Sequence, residues 1–211
     1  MTRKPPDLHS AYALETPDDS RRLYAEWADE YDRAFAQTED YQLHVHTARA
    51  FVRAGGQGPA LDVGAGTGLC GEVLTDLGVG PLDATDISSE MLERAMRKDI
   101  YRDAIEADLN EGVPVPRDSY SGIVSSGTFT HGHVGPDALN ELLRIARRGA
   151  VFALSINAKH FAAKGFADKL DALVENNRIE HLSLPELRIY GNLATGDNKD
   201  DTAFIAVFEK A

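Results

Sequence analysis

The sequence predicts an α/β fold: a mostly parallel sheet with helices on both faces, a helical cap at the N-terminus and an antiparallel hairpin at the C-terminus. Short apolar runs alternate with helix-like segments from residue 60 onward, the pattern of βα units around a parallel sheet. Segments 179–190 and 202–208 instead alternate apolar and polar residues on either side of a polar loop. This second pattern favours an antiparallel pair that closes the sheet edge.

The remaining elements follow from periodicity and from helix start and stop signals. Residues 1–17 are polar and proline-rich, so we predict a flexible N-terminus. Residues 18–55 form the predicted helical cap, which ends at a pair of glycines, and residues 56–211 form the core of the same single domain. We predict strands near 60–64, 82–86, 102–107, 121–126 and 150–156, and helices near 68–77, 89–97, 137–147 and 159–176.

Composition narrows the class of partner. The chain has 211 residues, of which 43% are hydrophobic, and this suits one α/β domain. It carries 22 Lys and Arg against 34 Asp and Glu, a net charge of −12. Nucleic-acid binders normally present a basic surface to the phosphates. The charge therefore disfavours a nucleic-acid partner.

Targeting signals and cysteine content give the expected location. No segment approaches the roughly 20 apolar residues that span a bilayer, and the first residues lack the apolar run of a signal peptide. The single cysteine, Cys70, allows no internal disulfide framework, which favours a reducing compartment. We therefore expect a cytoplasmic protein without membrane contact, as a monomer or a homodimer.

The most informative segment is the glycine-rich loop from Asp62 to Gly68, which follows the first predicted strand. Glycine allows a positive φ angle and lets a ligand approach without meeting a Cβ, and the helix that follows directs free N–H groups to the same place. A dinucleotide fingerprint needs its third glycine at the sixth position of the loop. Leu69 stands there, and Gly68 comes one residue early, which argues against a nicotinamide oxidoreductase.

Two acids follow the next two predicted strands. Asp86 ends the second strand 22 residues after Gly64, a distance at which an acid accepts hydrogen bonds from ribose hydroxyls. The alternative is that Asp86 caps the next helix, although Ser88 is the better cap. Asp108 follows the third strand, and its alternative role is that of a solvated turn acid.

The pattern Asp-x-Gly-x-Gly-x-Gly, with Asp86 and Asp108 after it, resembles motif I and its context in class I S-adenosylmethionine (SAM)-dependent methyltransferases. The resemblance implies a Rossmann-like seven-stranded sheet, SAM as cofactor and S-adenosylhomocysteine (SAH) as product. It implies that an acid at the place of Asp108 accepts from the adenine amino group and that the next backbone N–H meets the ring. The expected cofactor-binding residues are Asp62, Gly64, Gly66, Thr67, Gly68, Asp86, Ile87, Met91, Asp108, Leu109, Ser125 and Tyr31.

The segment after the fourth predicted strand is aimed at the reactive end of the cofactor, because ligands bind where the strand order reverses. His131 and His133 are candidate catalytic bases that titrate near neutral pH, and Thr128 and Phe129 are expected to contact substrate. Either histidine could instead bond backbone in a glycine-rich turn. A metal site would need further ligands with supportive spacing; we find none and predict no metal.

A closer resemblance is to the Williams–Beuren syndrome region methyltransferase-like proteins, from about residue 23 to residue 156. It rests on residues 127–136 and on the N-terminal pattern Tyr-x-x-Trp-Ala-x-x-Tyr-Asp, beginning at Tyr24. It departs near the fifth strand, where Arg147 to Ala150 replace the Pro-Gly-Gly of many class I enzymes. Tyr24, Trp27 and Tyr31 share one helix face, which packs on the sheet, covers the cofactor and substrate, or does both.

These observations together predict a SAM-dependent methyltransferase that acts on an O or N nucleophile of a small molecule. The Asp/Asn-Pro-Pro-aromatic tetrad of nucleobase amino-methyltransferases is absent after the fourth strand, where residues 126–129 read Ser-Gly-Thr-Phe. The alternatives are a non-catalytic SAM- or SAH-binding regulatory module and a protein methyltransferase.

Overall fold

The computed structural model describes residues 40–130, 134–195 and 198–211, together with Asp19, Arg22 and Leu23. The helices in these ranges are α1 (Leu43–Arg53), α2 (Leu69–Asp76), α3 (Ser89–Met96), α4 (Ala138–Ile145), α5 (Ala158–Lys164) and α6 (Phe166–Glu175). The strands are β1 (Ala60–Val63), β2 (Leu82–Asp86), β3 (Asp103–Glu106), β4 (Tyr120–Phe129), β5 (Ala146–Asn157), β6 (Ile179–Ser183), β7 (Glu186–Arg188) and β8 (Thr202–Lys210).

The strands form one mostly parallel sheet in the order β3-β2-β1-β4-β5-β8-β6, and β7 also pairs with β8. Strands β1 to β5 pair with one another in parallel, while β8 is antiparallel to β5, β6 and β7. The predicted α/β class and antiparallel C-terminal closure are therefore confirmed. Strand order reverses between β1 and β4, so a crevice for ligands is expected beyond their carboxyl ends.

Helices cover both faces, as predicted. On one face α1, α2 and α3 pack over residues such as Ala60, Leu82 and Val124. On the other, α4 and α6 pack over Leu61 and Phe152, among others. Neighbouring residues of β1 point to opposite faces, which places Asp62 on the side of α1, α2 and α3.

Two predicted elements are each divided in two. The predicted helix 159–176 breaks at Gly165, whose φ of 76° ends α5 and precedes α6. The predicted strand 179–190 divides into β6 and β7 around Pro185, which has no N–H for the ladder but accepts a hydrogen bond from the Ile205 N–H. Both pieces pair with β8, so the described sheet has eight strands but seven positions.

Helix α1 lies within the predicted cap segment and packs directly on the sheet. Phe51 is fully buried, and its ring occupies the space that a Cβ on Gly56 or Gly122 would need. Among the described residues, we find no helix with the length and apolar character to cross a membrane.

Candidate cofactor site

The glycine loop joins β1 to α2 at the point where the strand order reverses. Gly64, Gly66 and Gly68 have φ angles of 64°, 56° and 92°, a left-handed backbone that side chains other than glycine rarely adopt. Gly68 is the N-cap residue of α2 and has no side chain to bond the first N–H groups of that helix. Apart from the Gly71 N–H, which faces Asp62, we expect the first N–H groups of α2 to be available to a ligand.

The loop is anchored from below by β4. The hydroxyls of Ser125 and Thr128 both donate to the carbonyl of Val63, at 2.8 and 2.9 Å. A Cβ on Gly64 would overlap the Thr128 hydroxyl. These contacts hold the end of β1 against β4. Ser125 and Thr128 therefore support the glycine loop through their hydroxyl groups.

Gly66 differs from Gly64 and Gly68 because a Cβ there would meet no atom of the described residues within 4 Å. Its N–H donates to Oδ2 of Asp86 at 2.8 Å, and the Ser88 N–H donates to Oδ1 at 3.0 Å. The Ser88 hydroxyl in turn accepts from the Met91 N–H and caps α3, as predicted. Each carboxylate oxygen can accept more than one hydrogen bond, so half-buried Asp86 keeps acceptor capacity for a ligand over Gly66.

Asp62 lies beneath the same loop with 1% exposure. The Tyr101 hydroxyl donates to its Oδ2 at 2.7 Å, whereas its buried Oδ1 has no hydrogen bond of good geometry from the described residues. No salt bridge joins Asp62 to a Lys, Arg or His of the described ranges. An unneutralised carboxylate in a buried position is costly.

The electrostatics follow from that burial. Burial raises the pKa of Asp62 to about 6, and the nearby charge of Asp86 adds to the rise, while the Tyr101 hydroxyl and the Gly71 N–H oppose it. Burial also raises the pKa of Asp86, against the backbone N–H groups that stabilise its charged form. Burial and the charge of Asp62 raise the pKa of the Cys70 thiol, so Cys70 stays neutral, consistent with a small apolar role.

The two predicted adenine-contacting residues follow β3. Asp108 is half-buried, and its Oδ1 accepts from the N–H and the side-chain amide of Asn110 at 2.9 and 3.0 Å. Leu109 is buried at 8% exposure. Since the Ala107 N–H donates to the Asp86 carbonyl, this segment continues along the edge on which Asp86 lies.

Three predicted contact residues have buried side chains. Phe129, expected in a substrate pocket, is fully buried and packs edge to face on Phe166. Its burial follows from β4, which bulges between Ser125 and Phe129 and then pairs again with β5, and its contact with a substrate stays a prediction. Met91 has 1% exposure and Ser125 none, so their side chains support the site from inside.

The predicted bases His131 and His133 and the predicted aromatic lid of Tyr24, Trp27 and Tyr31 lie outside the described residues. The structure adds two residues that the sequence did not single out. Tyr101 follows α3, and no sequence motif around it indicated a functional role. The Tyr41 hydroxyl lies 3.4 Å from the Ser126 hydroxyl and 3.1 Å from where a Gly127 Cβ would be, at the end of β4 that faces the loop.

One cluster of possible metal ligands occurs in the described part of the chain. Glu180, His181 and Glu209 place ligand atoms within 4.8 Å of one another. They belong to β6 and β8 on the far side of the sheet order from the glycine loop. Exposed acids commonly lie together without an ion, so the prediction of no metal stays a prediction.

Comparison with known proteins agrees with this geometry. Residues 61–154 match the family model described as a methyltransferase domain. No curated protein matches the sequence. Magnesium protoporphyrin IX methyltransferase from Synechocystis PCC 6803, solved with bound SAM, has 16% identity and a TM-score of 0.66 over 94% of this chain and 99% of its own.

Two further solved structures share the fold. A SAM-dependent methyltransferase from Mesorhizobium loti has 16% identity and a TM-score of 0.56, covering 78% of this chain and 96% of its own. The (4+2)-cyclase SpnF has 14% identity and a TM-score of 0.67, covering 93% and 97%. The chain therefore has the Rossmann-like fold of these structures, and its residues 61–154 are similar to a methyltransferase domain. The narrower Williams–Beuren-like grouping stays a prediction.

Proposed function

We propose that the chain transfers the methyl group of SAM to an O or N nucleophile of a small molecule. The observation that carries the proposal is the pair of acids beneath the glycine loop. The buried Oδ1 of Asp62 has no hydrogen bond of good geometry from the described residues, and the charge of Asp86 adds to the rise that burial causes in the pKa of Asp62. A cationic ligand relieves both costs, and SAM carries a sulfonium and an ammonium group.

The residues at the loop fit such a ligand. Open space lies over Gly66, where a nucleoside could approach the backbone without a Cβ in its way. Asp86 would accept from the ribose hydroxyls, and Asp108 with the Leu109 N–H would hold the adenine. Asp62 would act from below through its negative charge.

When bound, SAM supplies a methyl group already activated by the sulfonium. The chain's own part is to align the acceptor and to exclude water, which lowers the barrier by on the order of 7–11 kcal/mol at best. Tyr41, at Ser126 and Gly127, is placed to form one wall of the acceptor pocket. His131 and His133 stay the predicted bases for a hydroxyl acceptor, which needs proton removal.

A small acceptor is supported by charge and by motif. The net charge of −12 disfavours nucleic acid, and the residues at the end of β4 are not those of the nucleobase enzymes. SpnF shares the fold but is described as a cyclase, so the fold alone does not determine the activity.

The test begins with calorimetric titration of the purified protein with SAH and, separately, with NAD. We expect micromolar SAH binding and no NAD binding. Radiolabelled SAM is then supplied with panels of phenols, carboxylic acids and amines, and with a protein extract. Label in a small product supports the proposal.

Three other outcomes would replace the proposal. SAH binding without label in any acceptor indicates a regulatory SAM-binding module, and label in a protein band indicates a protein methyltransferase. A folded protein that binds NAD and not SAH would overturn the proposal that the glycine loop, Asp62, Asp86 and Asp108 form a SAM site.

A further inference from the structure

Tyr101 stands between α3 and β3, and its side chain fills the space beneath the glycine loop. It is 7% exposed. A Cβ on Gly68 would lie 3.1 Å from its ring, and a Cβ on Gly71 would overlap its hydroxyl. The first turn of α2 is therefore shaped to admit this ring, which sets the height of the loop above the sheet.

The Tyr101 hydroxyl ends at Asp62, the acid of the loop. Its hydrogen bond to Oδ2 of Asp62 is 2.7 Å long, and the buried Oδ1 has no hydrogen bond of good geometry from the described residues. Because a hydroxyl donor to an ionised oxygen favours the charged form, this bond both orients the carboxylate and supports its charge.

We propose that Tyr101 is a positioning residue for the cofactor: its hydroxyl holds Asp62 as a carboxylate beneath the glycine loop, and its ring fixes the loop at Gly68 and Gly71. This inference rests on the proposed function, because its test measures SAH affinity and assumes that Asp62 acts on the cofactor. The titratable groups of the described chain that act on Asp62 are Tyr101, Asp86 and Cys70, and none of them is cationic.

The molecule contains a matched control for this role. Tyr120 is 3% exposed, and its hydroxyl donates to Oδ2 of buried Asp83 at 2.9 Å. It stands at the first residue of β4, the end of the strand opposite to the glycine loop. Tyr101→Phe and Tyr120→Phe thus each remove one buried hydroxyl from one buried carboxylate, and only the first touches the cofactor site.

The experiment measures SAH affinity of the wild type and both variants by calorimetry between about pH 6 and pH 8, with thermal unfolding alongside. In Tyr101→Phe we expect affinity near neutral pH to fall about tenfold and the midpoint of its pH dependence to move up by about one unit. The affinity of Tyr120→Phe should stay within about twofold of the wild type, despite a comparable loss of stability.

A second variant covers a failure of Tyr101→Phe to fold. Gly71→Ala keeps the tyrosine but displaces its hydroxyl from Asp62, so it should shift the pH midpoint in the same direction. The inference is overturned if both site variants bind SAH with the affinity and pH midpoint of the wild type, or if Tyr120→Phe weakens binding as much. If the wild type binds no SAH at any pH, the proposed function is rejected. The inference about Tyr101 fails separately, through the comparison of the variants with a wild type that does bind.

Discussion

Two buried aspartates on neighbouring strands show how similar contacts serve different ends. Asp62 on β1 and Asp83 on β2 are 1% and 3% exposed, and each accepts from a buried tyrosine hydroxyl. Asp83 also receives two hydrogen bonds from the Arg102 guanidinium, at 2.9 and 2.6 Å. Asp62 receives none from any described cation.

The difference lies in charge compensation. A carboxylate paired with arginine is stabilised where it lies. Asp83 therefore has a structural role, since its hydrogen bonds join β2 to β4 and to the segment before β3. A buried carboxylate without a cation raises the energy of the empty protein, and that cost is removed by a cationic ligand. An unneutralised acid therefore indicates a binding site more strongly than burial does.

The largest expected effect is a difference between Asp62 and Asp83 in how their substitution changes the free energy of unfolding. Asp83→Asn should lower the free energy of unfolding by about 2–4 kcal/mol, because Arg102 and Tyr120 lose their shared acceptor. Asp62→Asn should change it by less than about 1 kcal/mol near neutral pH, or raise it, since a desolvated charge disappears. Urea unfolding measures both; equal losses would break the comparison.

The second prediction is a pH dependence of stability that Asp62 carries. Its folded pKa of about 6 lies above the ordinary value, so its favourable contribution is complete below about pH 4 and is lost as pH rises through about 6. The loss amounts to about 2–3 kcal/mol. The difference in unfolding free energy between wild type and Asp62→Asn, followed from acid to neutral pH, should show this slope; a flat difference would remove the electrostatic argument. SAH affinity should change in the opposite sense and rise over the same window.

The third prediction concerns the open space over Gly66. Gly66→Ala places a methyl group where the ligand is proposed to lie and should weaken SAH binding about tenfold to hundredfold. Gly149 has a φ of 73° and equally open surroundings, so Gly149→Ala carries the same backbone strain at a distance from the site. Calorimetry on both variants distinguishes ligand overlap from strain, and equal affinities would place the ligand elsewhere.

The smallest expected effect is at Asp86. Asp86→Asn keeps the shape but leaves one acceptor oxygen, so SAH affinity should fall about fivefold to tenfold. Asp118→Asn is the control, because Asp118 is an exposed acid that accepts from Lys210. A loss shared by both variants would mean that net charge, and not ribose contact, governs the affinity.

Sequence patterns were sufficient for the features that depend on neighbours along the chain. The strand and helix alternation, the left-handed glycines at 64, 66 and 68, and the Ser88 cap of α3 are all local. Patterns were insufficient where the chain is interrupted inside an element, as at Gly165 and Pro185. The fourth predicted strand ends at residue 126, whereas β4 continues through a bulge to Phe129.

What the sequence by itself determined is the glycine loop and the acids near the carboxyl ends of β1 and β2, since the spacing of βα units alone brings those positions to one sheet edge. Only the tertiary structure decided which buried acid has a cation. Tyr101 meets Asp62 across 39 residues, and Arg102, the next residue in the chain, turns to Asp83 instead. The physical reason is that burial and charge compensation arise from residues brought together by packing, and no periodicity in the chain encodes which of two adjacent side chains reaches which strand.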